Sequence, residues 1–172
     1  PRRLSVPTSE SWPRYELITL AGLLSEGNTC HPTTLYFYNN DRALVDDFRA
    51  AIENFPDTVA RVHTRRSGRH EVQANTGRDA RFRARAESAG AVATKAAPVR
   101  SGAFRWAERL GVLGKKATEK FVPTPVFRLC DSDLELFLGR LWAGDGFIAN
   151  ETLKVPFYAT SSSRFASDVQ HI

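Results

Sequence analysis

The sequence contains no run of roughly eighteen uninterrupted apolar residues, which excludes a membrane-spanning helix. Its opening stretch, PRRLSVPTSESWPRYEL, lacks the apolar centre of a secretory signal, so a cytoplasmic location is expected. Cysteine is scarce: Cys30 and Cys130 have no partner at Cys-x-x-Cys spacing and read as small, reduced hydrophobic side chains. The four histidines, His31, His63, His70 and His171, are scattered, which argues against a zinc cluster. A metal, if used, has to rely on oxygen ligands. With 172 residues and 42% hydrophobic side chains the chain can build one domain's core, so disorder and a collagen-like fibre are excluded too.

What is present in quantity is positive charge, and it is segregated. Residues 61–120 carry 15 Lys or Arg against 5 acids, whereas the rest carries 9 against 14. A basic segment of this kind attracts polyanions, nucleic acid above all, through counterion release at the phosphates.

The stretch PRYELITLAGLLSEG at 13–27 places Leu17, Leu20, Leu23 and Leu24 on one stripe, which predicts a helix with Pro13 in its first turn and Gly27 at its stop. TTLYFYNN at 33–40 alternates and reads as a strand, with Leu35 and Phe37 on one face and Tyr36 and Tyr38 on the other. Asp41 can cap a second helix running to about Phe55. Runs at 58–66 and 70–75 then form an expected hairpin. Arg61, His63 and Arg65 share one face of its first strand, and Glu71, Gln73 and Asn75 one face of its second. These are side chains suited to base edges.

Residues 77–100, rich in Ala and Arg, read as a basic excursion and loop. A short amphipathic helix is expected at 101–114, anchored by Phe104, Trp106 and Leu110, and Val126 to Leu129 is expected to be buried. From Asp131 to Gly146 a further helix is predicted, with Ser132 and Glu135 in capping-box relation and Leu134, Phe137, Leu138 and Leu141 as its stripe. A strand around 154–160 and a helix starting near Ser161 or Ser162 follow.

An internal repeat emerges when Ser-Glu-Gly at 25–27 is laid over Gly-Asp-Gly at 144–146. The offset is 119 residues there. Tyr36-Phe37 then falls over Phe157-Tyr158, and Asp47-Phe48 over Asp168-Val169, at an offset of 121. A two-residue hairpin insertion accounts for the change, and a duplicated unit is the expected origin.

Each copy ends its helix on an acid, Glu26 in one and Asp145 in the other. That placement meets the negative end of the helix dipole and costs roughly 0.3–1 kcal/mol. A divalent cation would reverse the sign, and carboxylates are the hard ligands that Mg²⁺ prefers. Small residues, Ala21, Gly22 and Ser25 in one helix and Gly139, Ala143 and Gly144 in the other, would let two such helices approach closely and bring the acids together.

LAGLLSEG at 20–27 and LGRLWAGDG at 138–146, with LGVLGKKATEKFVP at 110–123 between them, resemble the motif blocks of LAGLIDADG homing endonucleases, and specifically those borne by inteins of bacterial DNA polymerase III alpha subunits. The resemblance implies an α+β fold of two pseudo-symmetric αββαββα halves whose antiparallel sheets form a saddle on the DNA major groove. It places a first half at 1–100 with a basic loop at 77–100, a connecting helix and lysine block at 101–130, and a second half at 131–172 that is expected to be incomplete. It implies Mg²⁺ or another divalent cation held by Glu26 and Asp145, with Lys120 as the catalytic lysine. Cleavage of both strands of a double-stranded DNA target, the intein-less host allele, by a monomer with an internal pseudo-two-fold is the implied activity. Tyr36, Tyr38, Arg61, His63, Arg65, Arg69, Gln73, Asn75, Lys115, Lys116 and Lys154 are the expected DNA contacts. The alternatives are a LAGLIDADG module that binds DNA or RNA without cutting, and a structural insert of an intein.

Overall fold

The computed structural model describes residues 10–77, 99–149, 152 and 154–172, so the expected basic excursion lies almost wholly outside the described residues. In chain order the elements are α1 (Arg14–Leu24), β1 (Gly27–Asn28), β2 (Leu35–Asn39), α2 (Arg42–Ile52), β3 (Val59–Thr64), β4 (His70–Asn75), α3 (Gly102–Arg109), α4 (Asp131–Asp145), β5 (Gly146–Ala149), β6 (Val155–Tyr158) and α5 (Ser163–His171). The class is α+β, with an antiparallel four-stranded sheet in the order β1-β2-β4-β3 and an antiparallel β5–β6 hairpin.

Helix α1 is the centre of the molecule. Every residue from Leu17 to Leu24 is buried, as expected of a helix covered on several sides. It packs against α2 and α4. On the α2 side Gly22 is the contact point: a Cβ there would lie 2.5 and 2.8 Å from ring carbons of Phe48. Phe48 in turn stacks on Phe37 of β2, with ring centroids 4.4 Å apart.

The inner sheet face carries Leu35, Phe37, Val72, Ala74 and Ala60, all buried. Period-two alternation sends the intervening residues outward. Gly22→Ala should therefore cost about 1–3 kcal/mol through overpacking. By contrast, among the described residues nothing lies within 4 Å of a Cβ at exposed Gly139, so Gly139→Ala should stabilise by roughly 0.5–1 kcal/mol. Denaturant melts of the two variants check both signs.

Helices α1 and α4 run parallel, because they are tied at both ends. At the N-terminal end the Asp133 carboxylate accepts from the Ser11 hydroxyl at 2.9 Å and the Trp12 amide at 2.8 Å. The Cys130 amide donates to the Glu10 carbonyl at 2.9 Å. This corrects the expected capping box: Cys130 is the N-cap residue, and no side chain caps it. At the C-terminal end a Cβ on Gly144 would lie 2.6 Å from Ser25 Oγ. Of the small residues predicted to line this interface, the Ser25–Gly144 pair makes the close approach, whereas Gly139 faces open space.

Strand pairings occur at the two offsets read from the sequence. Gly27 pairs with Phe37 and Gly146 with Tyr158, equivalent positions at offsets of 119 and 121 residues. The amide of Tyr38 donates to the Glu26 carbonyl and that of Ala159 to the Asp145 carbonyl, each at 3.2 Å. Asp41 and Ser162 cap α2 and α5, again 121 residues apart.

Elsewhere Phe104 and Trp106 are buried on α3, and Val126 and Leu129 are fully enclosed. Both cysteines are free, as expected, and Cys30 is exposed. The turn following β1 carries it outward, with its thiol 3.7 Å from the Lys115 carbonyl.

Candidate functional site

Both helix-terminal acids emerge where α1 and α4 abut. Glu26 follows Ser25 directly, and its Cγ lies 3.8 Å from where a Gly144 Cβ would stand, next to Asp145. Each acid sits at the junction between its helix and the first strand of its hairpin. The backbone there is pinned by the equivalent amide bonds from Tyr38 and Ala159.

Lys120 reaches the same place from the segment after α3. Its ammonium donates to the Ser25 carbonyl at 2.9 Å and the Gly27 carbonyl at 3.3 Å, one on each side of Glu26. Its own carbonyl accepts from the hydroxyl of Ser162 at 2.7 Å, which anchors the segment to the start of α5. The chain next to it is held by the Val122 amide donating to Asp168 at 2.9 Å.

The electrostatics follow from crowding. Burial raises the Glu26 carboxyl above the ordinary carboxylate range and the charge of Asp145 raises it further, while Arg69 and Lys120 pull it back. Burial likewise raises Asp145, opposed by Lys120 and by a hydrogen bond from the Tyr158 hydroxyl at 3.4 Å. Burial depresses the Lys120 ammonium, and Asp145 and Glu26 resist it. Burial, together with neighbouring Asp145, raises Tyr158, so its proton stays on the phenol.

Tyr158 and Arg69 complete this cluster. Tyr158 was read from the sequence only as part of the repeat. Its signal was its place in that repeat: it stands where the first copy has Phe37, and the added hydroxyl meets Asp145.

Among the described residues, no group of three or more His, Cys, Asp or Glu side chains is gathered as a metal site. The available set is two carboxylates. Two carboxylates, with phosphate oxygens and water filling the other positions, suit Mg²⁺, so the residues fit that cation.

The sheet carries a second feature. Across the outward face the register aligns Tyr36 with Gln73 and Arg61, and Tyr38 with Glu71 and His63. Asn75 stands opposite Val59 on the same face. The predicted contacts Tyr36, Tyr38, Arg61, His63, Gln73 and Asn75 therefore share one surface. Tyr36 and Tyr38 stack with centroids 6.1 Å apart.

Part of this polar set is already engaged within the protein. Glu71 is buried, accepting from Arg65 Nε at 3.0 Å and from Gln73 Nε2 at 2.6 Å. Burial works against its ionised form, but those two hydrogen bonds prevail and keep its pKa low. The Asn75 side-chain oxygen accepts from the Gly77 amide at 2.7 Å. Arg65 and Arg69 lie over the Tyr38 ring at 5.8 and 5.2 Å.

Lys115 and Lys116 lie beyond β1, in the segment that leads to Lys120. The Lys116 amide donates to Glu119 at 2.9 Å. Lys154 does not join these groups: it occupies the distal turn of the β5–β6 hairpin with φ of +47°. That hairpin exposes Phe147, Ile148, Val155 and Phe157. No described helix is long and apolar enough to cross a membrane.

No protein-family model matches the chain. It is similar to parts of the replicative DNA helicase DnaB of three bacteria. The identity is 39% over 72 residues for Synechocystis sp., covering 40% of this chain and 8% of the helicase. It is 38% over 76 residues for Nostoc sp., covering 42% and 9%. For Rhodothermus marinus it is 39% over 71 residues, covering 39% and 8%. The chain thus spans less than a tenth of the length of the curated relatives it matches. These relatives are helicases, whereas the motif resemblance points to a polymerase III alpha subunit.

Proposed function

We propose that the chain is the DNA-cleaving core of a LAGLIDADG-type homing endonuclease carried within an intein. The observation that carries this reading is the convergence of Glu26, Asp145 and Lys120 at the shared end of two parallel helices, each arriving from a different segment. Similarity confined to a small part of much longer replication proteins fits a domain inserted into a host. The outward face of the four-stranded sheet, with arginine, histidine, glutamine, asparagine and stacked tyrosines, suits contact with duplex DNA. The basic balance of residues 61–120 suits attraction to phosphate.

In this reading Glu26 and Asp145 hold a divalent cation, which when bound stabilises charge on the phosphate and makes an attacking water more acidic. The chain's own groups do the rest. The rigid α1–α4 contact fixes the spacing of the two carboxylates, and the Tyr158 hydroxyl orients one oxygen of Asp145. Lys120, held by two carbonyls beside Glu26, places a fixed positive charge where the pentacoordinate phosphate gains negative charge. Because it is preorganised, little reorganisation is needed as that charge develops.

The test is incubation of the protein with Mg²⁺ and a randomised duplex library flanked by sequencing adaptors. The expected outcome is a defined double-strand break at one sequence family, abolished by a chelator. Specific retention of duplex without any cut would instead favour the non-cleaving binding module. No retention at all would overturn the assignment.

A further inference from the structure

Glu26 already has a cationic partner. One Nη of Arg69 stands 3.3 Å from Glu26 Oε2, across a pair whose side chains are 49% and 28% exposed. The guanidinium does not get there by chance of a long side chain alone. Arg69 follows Gly68, whose φ of +83° closes the β3–β4 turn, and its carbonyl accepts from the Arg65 amide at 2.9 Å. From that turn the side chain crosses Tyr38, with its guanidinium carbon 5.2 Å from the ring centroid. Tyr38 in turn is bonded through its amide to the Glu26 carbonyl at 3.2 Å. Turn, ring and acid therefore form one continuous support.

The two cations near Glu26 differ in their freedom. Lys120 is tied to two backbone carbonyls and cannot leave without orphaning them. Arg69 is half-exposed and, among the described residues, its guanidinium holds no backbone carbonyl, so it can swing into solvent at small cost. A divalent cation ligated through Glu26 Oε2 competes with the Arg69 charge for that oxygen.

We propose that Arg69 is a displaceable counter-ion, held over Tyr38, which competes with a divalent cation for the Glu26 carboxylate and so restrains cation loading in the free protein. The proposal rests on the assignment of Glu26 and Asp145 as cation ligands. Arg69 also borders the sheet face assigned to DNA, where phosphate offers it another partner. Loading would then be favoured once duplex is present.

The test is Mn²⁺ titration of the full chain, free of DNA, followed by the electron paramagnetic resonance signal of unbound Mn²⁺. Arg69→Gln is expected to bind Mn²⁺ about three- to five-fold more tightly than the unsubstituted protein, the range set by loss of one partly exposed ion pair. Arg65→Gln removes a charge from the same tyrosine but from Glu71 instead of Glu26, and is expected to leave Mn²⁺ affinity within twofold. Equal affinity in Arg69→Gln and the unsubstituted protein, or the same gain in Arg65→Gln, would overturn the competition. In that case loss of binding in Glu26→Gln would show that the ligand assignment still stands. Absence of Mn²⁺ binding at these acids in every variant would overturn both.

Discussion

Asp145→Asn and Glu26→Gln are each expected to reduce duplex cleavage by about a hundredfold or more, a loss of several kcal/mol of transition-state stabilisation. In the proposed reading each substitution removes half of a two-carboxylate ligand set and retains the shape. Both amide variants are expected to fold. Both carboxyls are raised in the folded protein, chiefly by burial, above ordinary values of 4.5 for Glu26 and 3.8 for Asp145. The folded state therefore takes up protons before the unfolded state does. Stability contributed by these groups rises as pH falls through their folded pKa values, and at neutral pH their charges oppose folding.

An amide removes that opposition. Thermal melts at neutral pH should thus place Glu26→Gln at or above the unsubstituted protein, and its stability should gain less on mild acidification. Cleavage by the unsubstituted protein should have the reverse dependence, fading as pH drops, because in the proposed reading both acids are ionised when they hold a cation. Full cutting by either amide variant, measured as initial rate on linear duplex, would remove these acids from the reaction.

Much of this arrangement is legible in the sequence. The two offsets of 119 and 121 residues came from matching short stretches, and the strand register reproduces them at Gly27–Phe37 and Gly146–Tyr158. Backbone pairing and turn length leave traces in local composition, which is why short matched stretches can anticipate a register. The alternation in β2, β3 and β4 likewise put six of the expected contacts on one face, since strand periodicity maps sequence parity directly onto sides of the sheet.

What the sequence could not reveal were meetings between distant segments. Ser132 and Glu135 had the spacing of a capping box, yet Asp133 took over the end of α4 because the strand-like segment at Glu10–Trp12 happened to lie there. Gly139 looked like an interface residue by type, but the rotation of α4 about its axis decides which small residue faces α1, and pattern alone leaves that open. Arg69 was expected to face DNA. Its contact with Glu26 depends on how far the β3–β4 turn reaches across the sheet, a tertiary quantity.

In the proposed reading, Lys120→Met is the substitution that best separates holding a cation from using it. Lys120 lies beside Glu26, feels the charges of both acids and is half-buried, so its charge has opposite effects on the two steps. Removing it takes a positive charge away from Glu26 and Asp145, and divalent-cation affinity should rise a few-fold on Coulombic grounds. Cleavage should nevertheless fall by about a hundred- to a thousandfold, the usual consequence of deleting one preorganised charge from a transition-state site.

Stability has its own balance. Methionine relieves the desolvation that depresses the ammonium, but it leaves the Ser25 and Gly27 carbonyls without their donor and the two acids without their shared neighbour. The lost hydrogen bonds act at all pH values, whereas the repulsion between the acids grows only as they ionise. Melting temperature of Lys120→Met should therefore deviate most from that of the unsubstituted protein at neutral pH, and the gap should narrow on acidification. Cation affinity measured by Mn²⁺ titration and cleavage measured under cation saturation have to move in opposite directions. A variant in which both fall together would mean that Lys120 only holds the loop in shape, and the charge assigned to it would have to come from elsewhere.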